Sequence, residues 1–183
     1  MFIESTINVD FSYVQNKFLN QLEAGALILD FGCGSGRDTR YFLDCGHGVE
    51  AIDGSEELCK SASEYTGIEV KNMLFQELQE VEKYDAIWAC SSILHLPYAE
   101  LVEVMKKMVK ALKDNGLIYT SFKYGTFEGE RNGRYFINMT EGSLEKLIQD
   151  VGGLVVEEMW ITSDVRLGRG EEKWLNLFLR KNS

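Results

Sequence analysis

Two carboxylates and three glycines fall within one short stretch of this chain. The apolar run Leu27–Phe31 carries Asp30 near its end and then breaks into Gly32, Gly34 and Gly36, spaced two apart. A strand that runs into a glycine-rich turn and then a helix brings bare backbone and a row of amide donors beside whatever binds there. The spacing narrows the ligand. A dinucleotide turn that faces a pyrophosphate reads G-x-G-x-x-G, whereas this one reads G-x-G-x-G. A carboxylate at the strand end repels phosphate but accepts a hydrogen bond from an ammonium group. Asp53 ends the next apolar segment, VEAIDGS, 17 residues after Gly36, where it is placed to take both hydroxyls of a ribose. A tight turn explains the glycines alone. It does not explain an acid at each strand end.

Three segments, ILDFGCGSG, VEAIDGS and YDAIWACSSILHLP, resemble the class I S-adenosylmethionine-dependent methyltransferases in order and spacing. The resemblance covers roughly residues 25 to 123 by motif and the remainder by topology. It implies S-adenosyl-L-methionine as methyl donor and S-adenosyl-L-homocysteine as product. It also implies that Asp30, Gly32, Cys33 and Gly34 line the amino-acid half of the donor and that Asp53 binds its ribose. Gly54 and Ser55 then face the adenosine, although Ser55 reads equally as a helix cap. Many relatives place an acid near the end of the third strand, for the adenine amino group. Here the segment reads KNMLFQEL, and Met73, Leu74 and Phe75 stand there, either to sandwich the adenine or to fill the core. Cys90 and Ser91 would touch the methionine portion through the main chain. Arg37, in G-S-G-R-D, draws the resemblance toward small methyltransferases of the tellurite-resistance type. Its guanidinium pairs with the donor carboxylate or an anionic substrate, or it is a surface arginine capped by Asp38 or Asp44.

On the acceptor side, His95 follows the fourth strand and is either a general base or a structural histidine beside Pro97. Arg131, Arg134, Arg166 and Arg169 make up four of the seven arginines and lie in two loops, after the fifth and sixth strands. The sixth strand is expected to run parallel to its neighbours, so both loops rise from the carboxyl-end rim of the sheet. Together with Lys123, Tyr124, Tyr135, Phe136 and Trp174 they would form a cationic, aromatic-walled pocket for an anionic molecule. The alternative is that they pair with Glu128, Glu130, Asp164, Glu171 and Glu172.

These groups need a scaffold. Strand-like and helix-like segments alternate along the 183 residues, the pattern of a mostly parallel sheet covered on both faces. The expected architecture is a single α/β, Rossmann-like, doubly wound domain of about seven strands, closed by an antiparallel C-terminal strand. Residues 1–24 supply an N-terminal helix over the donor pocket, with Asp10 as N-cap. Expected strands are Leu27–Phe31, Val49–Ile52, Glu69–Leu74, Ala86–Cys90, Leu117–Phe122, Leu154–Thr162 and Trp174–Arg180. The longest helix is expected over Tyr98–Lys113, and the segment before Thr140 reads as a polar loop. No apolar run reaches the length of a membrane span and no basic-then-apolar leader opens the chain, so the expected compartment is cytoplasmic. Cys33, Cys45, Cys59 and Cys90 form no C-x-x-C pair, and two histidines give a metal site few ligands.

A net charge of −10 disfavours a large nucleic-acid footprint and favours a small-molecule partner. No N-P-P-Y or D-P-P-Y segment follows the fourth strand, which disfavours methylation of base amines. Methylation of a nucleic acid or protein, a non-catalytic S-adenosylmethionine-binding module, and a nicotinamide oxidoreductase remain as alternatives, the last disfavoured by the glycine spacing. Asp53→Ala is expected to abolish donor binding and Leu74→Ala to weaken it a few-fold. Titration of both variants with S-adenosylmethionine checks this, and unchanged affinity in Asp53→Ala removes the site assignment.

Overall fold

The computed structural model describes residues 6–182. The chain runs α1 (Ser12–Leu19), β1 (Leu27–Phe31), α2 (Arg37–Asp44), β2 (Gly48–Asp53), α3 (Glu56–Thr66), β3 (Val70–Asn72), β4 (Tyr84–Ala89) and α4 (Tyr98–Ala111). It continues through β5 (Leu112–Lys123), β6 (Glu128–Arg131), β7 (Arg134–Ile137), α5 (Glu141–Val151), β8 (Leu154–Ser163) and β9 (Lys173–Lys181). Seven strands form one sheet in the order β3-β2-β1-β4-β5-β9-β8. The pairs from β3 to β5 are parallel, and β9 runs antiparallel to both β5 and β8. This is the expected Rossmann-like arrangement.

Strand alternation sorts the core into two layers. Ile28, Ala86, Trp88, Leu117, Tyr119 and Phe178 face α1 and α2, where Val14, Phe18 and Phe42 meet them. Leu29, Phe31, Ile87, Ala89, Ile118 and Phe122 face the other way, against Leu101, Met105 and Met108 of α4 and Leu144 and Leu147 of α5. Trp88 is fully buried among aromatic rings, stacked on Tyr119 at 4.2 Å and met edge-on by Phe18 at 4.9 Å and Phe42 at 5.1 Å.

Several elements differ from the sequence pattern. The helix after Asp10 is shorter, beginning at Ser12. Asp10 stays beside its start, its carboxylate accepting from the Ser12 amide and hydroxyl. Residues 1–5 of the expected N-terminal helix lie outside the described residues. β3 is only three residues long, because Met73–Phe75 leave the sheet and Phe75–Glu77 form a 3₁₀ turn. α4 stops at Ala111 and β5 starts at once, with a bulge that moves the register from Tyr84↔Leu112 to Ala86↔Leu117. The expected polar loop is a hairpin, β6–β7, turned by Asn132 (φ 53°) and Gly133 (φ 76°). Two successive residues at positive φ match the right-handed strand twist, which is why Asn-Gly serves there. β8 is not parallel to a neighbour, since β9 lies between it and β5 and pairs with it antiparallel. Its direction still matches β1–β5, so the loop after it does reach the carboxyl-end rim.

The turn after β1 is held against the turn after β4. A Cβ placed on Gly32, at φ 86°, would lie 2.7 Å from Ser92 Cβ and 3.0 Å from the Phe75 ring. Gly32→Ala combines left-handed backbone with overpacking and is expected to cost about 2–4 kcal/mol. A shift of the urea midpoint with unchanged slope checks this; a loss below about 0.5 kcal/mol would show that the two turns separate freely.

Candidate active site

The carboxyl ends of β1 and β2 build a polar cradle. After Phe31 the chain folds over the end of β2, with the Gly32 and Cys33 amides donating to the Ile52 carbonyl at 3.1 and 2.9 Å. Gly32, Gly34 and Gly36 all take positive φ, and Gly36 opens α2. Asp53 ties the turn together, accepting from the Gly34 amide at one oxygen and the Ser55 amide at the other, each at 2.9 Å. Each carboxylate oxygen has two acceptor sites, so each retains one for a ligand hydroxyl. Ser55 does cap α3, its hydroxyl accepting from the Leu58 amide. The 73–75 trio divides. Phe75 lies tilted against Phe31 with ring centres 4.6 Å apart and Met73 packs on the core, whereas Leu74 is 57% exposed and stands beside Gly54.

Asp30 is buried, and its carboxyl accepts a 2.6 Å hydrogen bond from the Thr39 hydroxyl. Burial, and then the neighbouring charge of Asp38, push its pKa up to about 8, against the opposing Thr39 hydrogen bond and Arg37 charge. Asp38 is the better-supplied acid. It accepts from Gln15 Nε2 at 2.6 Å, Trp88 Nε1 at 2.9 Å and Arg37 Nε and NH2 at 2.9 and 3.1 Å. Arg37 is therefore no surface residue: it closes on Asp38, lies 4.7 Å from the Phe11 ring and donates to the Thr6 carbonyl. Burial pushes the Cys33 and Cys90 thiols up, Cys90 to about 12, so neither is a nucleophile near neutral pH.

The end of β4 forms the second wall. Ser91 takes φ 51°, a strained value for a residue with a Cβ, and its amide donates to the Ser121 hydroxyl at 2.9 Å. Ser121 was not legible as a site residue, because it sits within the apolar pattern of β5. A 3₁₀ turn at Ile93–His95 then sets His95 under the β6–β7 hairpin. His95 Nδ1 lies 2.8 Å from the Tyr135 carbonyl oxygen and its ring 4.7 Å from Phe136. A carbonyl only accepts, so Nδ1 carries the proton and Nε2 keeps a free lone pair. Burial, then the nearby Arg134 and Lys123 charges, hold its pKa below the ordinary 6.5 despite that hydrogen bond.

Two of the four loop arginines, Arg166 and Arg169, are ion-paired. Arg166 is bidentate on Asp164, at 3.0 and 2.6 Å, and Arg169 stands 3.9 Å from Glu172. Burial opposes ionisation of Asp164. Hydrogen bonds from Arg166 and from Trp174 Nε1 outweigh it and hold the carboxyl well below the usual range. Arg131 lies over the Phe127 ring at 4.2 Å and faces Arg134 across the hairpin turn. Tyr124 and Tyr135 donate to Glu141 and Glu128. Lys123, between Phe136 and Trp174, is brought close to His95 along with Arg134.

Residues 28–116 match the methyltransferase-domain family. An uncharacterized methyltransferase of Staphylococcus carnosus is 24% identical over 174 residues, covering 81% of this chain and 84% of that protein. N-terminal Xaa-Pro-Lys N-methyltransferase 1 of Xenopus tropicalis is 36% identical over 98 residues, and there the match spans only 49% of this chain and 44% of the frog protein. Among solved structures, the 1,6-didemethyltoxoflavin-N1-methyltransferase of Burkholderia thailandensis, bound to 1,6-didemethyltoxoflavin and S-adenosylhomocysteine, superposes with a TM-score of 0.79. It is 21% identical over 93% of this chain and 77% of that one, a likeness of fold. The domain match and the architecture define the class: the protein is an S-adenosylmethionine-dependent methyltransferase. No helix among the described residues is long and apolar enough to cross a membrane.

The raised pKa of Asp30 makes stability pH-dependent. Below its ordinary value of 3.8 the group is protonated in both states and its contribution is fully present; it is lost as pH rises to about 8, where the folded state ionises too. Relative to Asp30→Asn, the wild type is expected to lose unfolding free energy between pH 5 and 8, by at most about 1.4 kcal/mol per pH unit. Parallel pH profiles from urea unfolding would place Asp30 in an ionised state throughout.

Proposed function

We propose that this chain transfers the methyl group of S-adenosylmethionine to a small-molecule acceptor seated on the rim between His95, Lys123 and the β6–β7 hairpin. The observation that carries the reading is the pairing of a two-acid cradle, Asp30 and Asp53, with a base-competent histidine on the adjoining strand end. The cradle fits the donor by its chemistry: Asp53 has one free acceptor site on each oxygen for the ribose hydroxyls, and Asp30 is a buried acid for the ammonium. When bound, the donor supplies a methyl group on a sulfonium, whose carbon–sulfur bond breaks with its electron pair going to sulfur as the acceptor atom attacks.

This chain's own residues then orient and deprotonate. Ser121 fixes Ser91, and so the end of β4 beside the donor. His95 Nε2 takes the proton of an acceptor O–H or N–H, and the lowering of its pKa by burial favours the neutral form that this requires. Asp30, protonated near neutral pH, would hold the donor's cationic ammonium after releasing its own proton to solvent. The small-acceptor reading is supported by the net charge of −10 and by a rim walled with aromatic rings, and the toxoflavin enzyme offers a small-molecule precedent on the same fold. The tellurite-type reading has less support, since Arg37 is engaged by Asp38.

The test incubates the protein with methyl-labelled S-adenosylmethionine and a cell extract divided into small-molecule, RNA, DNA and protein fractions, with Asp53→Ala as control. Label is expected in the small-molecule fraction, and His95→Gln is expected to reduce it about 100-fold with donor binding retained. Label confined to a macromolecular fraction would overturn the reading.

A further inference from the structure

We infer that Lys123 is the specificity-determining residue of the acceptor site and that the acceptor carries a single anionic group, of the carboxylate type, which this ammonium binds between two aromatic walls. The inference rests on the proposed methyl transfer to a small acceptor and names its class. Lys123 ends β5, two residues beyond Ser121 and on the same side of the strand, so it extends the line that begins at the β4 end. Trp174 stands opposite it on β9, and the β6–β7 hairpin brings Phe136 over it. Its Nζ lies 5.1 Å from the Phe136 ring centre and 5.9 Å from that of Trp174, and its side chain is only 17% exposed.

Two rings attract an ammonium but satisfy none of its three donors. The carboxylate near it, Glu172, stands 3.9 Å away, beyond hydrogen-bond reach, and that same carboxylate lies 3.8 Å from Arg166 and 3.9 Å from Arg169. Among the described residues, Lys123 Nζ has no hydrogen bond. A half-desolvated cation without one is costly unless a ligand supplies the acceptor. Arg166 is unsuited to that task, since both faces of its fork that meet Asp164 are taken. Lys123 also shares the Phe136 ring with His95, so an anion on Lys123 holds the rest of a small molecule beside the histidine. One ammonium, with Arg134 as the other cation near His95, in a protein of net charge −10 suits a small anion and not a polyanion.

The experiment takes methyl-labelled S-adenosylmethionine and the small-molecule extract, and passes the products over an anion exchanger at pH 8. Labelled product is expected to be retained and released by salt. Lys123→Met is expected to reduce it at least tenfold at limiting extract, with S-adenosylhomocysteine affinity by calorimetry within twofold of wild type, and Lys123→Arg to restore part of it. Labelled product in the flow-through overturns the anionic assignment and leaves the small-acceptor reading intact, whereas label confined to protein or nucleic acid overturns that reading and the inference with it. Independently of turnover, the Trp174 indole N–H resonance, assigned with Trp174→Phe, is expected to shift saturably with benzoate and not with benzamide. An equal response to both, or a benzoate response that survives Lys123→Met, overturns the inference.

Discussion

The carboxylate of Asp38 is the interaction on which the donor side of this molecule depends. It gathers Gln15 from α1, Trp88 from β4 and the guanidinium of its own neighbour Arg37, so one buried anion joins an N-terminal helix, the central strand and the first turn of α2. A buried charge supplied with that many donors is held in place, because each donor left behind on its removal would itself be buried and unpaired. Two consequences follow for the site. Arg37 is held inward and is not free on the surface, and the neighbouring Asp30 is denied its own ionisation near neutral pH. The acid that the proposed function assigns to the donor ammonium is thus kept protonated first by its burial and then by the charge of a second acid beside it.

The acceptor side is organised by a different device. β9 inserts between β5 and β8, so the strand carrying Trp174 lies directly beside the strand carrying Ser121 and Lys123. The β6–β7 hairpin is fastened at its base, where the Met139 amide donates to the Lys123 carbonyl and the Gly125 amide to the Met139 carbonyl. It reaches across to His95 through the Tyr135 carbonyl, and that contact sets the imidazole tautomer. A short hairpin therefore fixes the orientation of the His95 imidazole.

The family likeness and the site chemistry divide along the same line. Residues 28–116, the matched region, hold the glycine turn, Asp53 and the β4 end. The hairpin, Lys123 and Trp174 all lie beyond it. The parallel half of the sheet has to present the same donor to every member of such a family, so its geometry is constrained. The antiparallel end and its loops carry the residues that the proposed function assigns to the acceptor.

The sequence by itself determined the glycine turn, the acids at the two strand ends, the limits of β1 and the alternation that makes the sheet parallel. These are local or periodic features, written in contiguous residues: a strand of five apolar-patterned positions and a G-x-G-x-G turn need no distant partner to be read. The tertiary structure decided which of the charged groups are free. Arg37, Arg166 and Arg169 look alike in the sequence to Lys123 and Arg134, but the close pairing of Arg166 with Asp164 and the looser 3.9 Å approach of Lys123 to Glu172 depend on how two loops and a hairpin meet over one rim. The hairpin itself was announced only by Asn132-Gly133, the role of Ser121 by nothing local, and that of Asp38 only in its pairing with the adjacent Arg37. Hydrogen bonding and desolvation act between residues 30 to 50 positions apart, and only the folded chain brings those together.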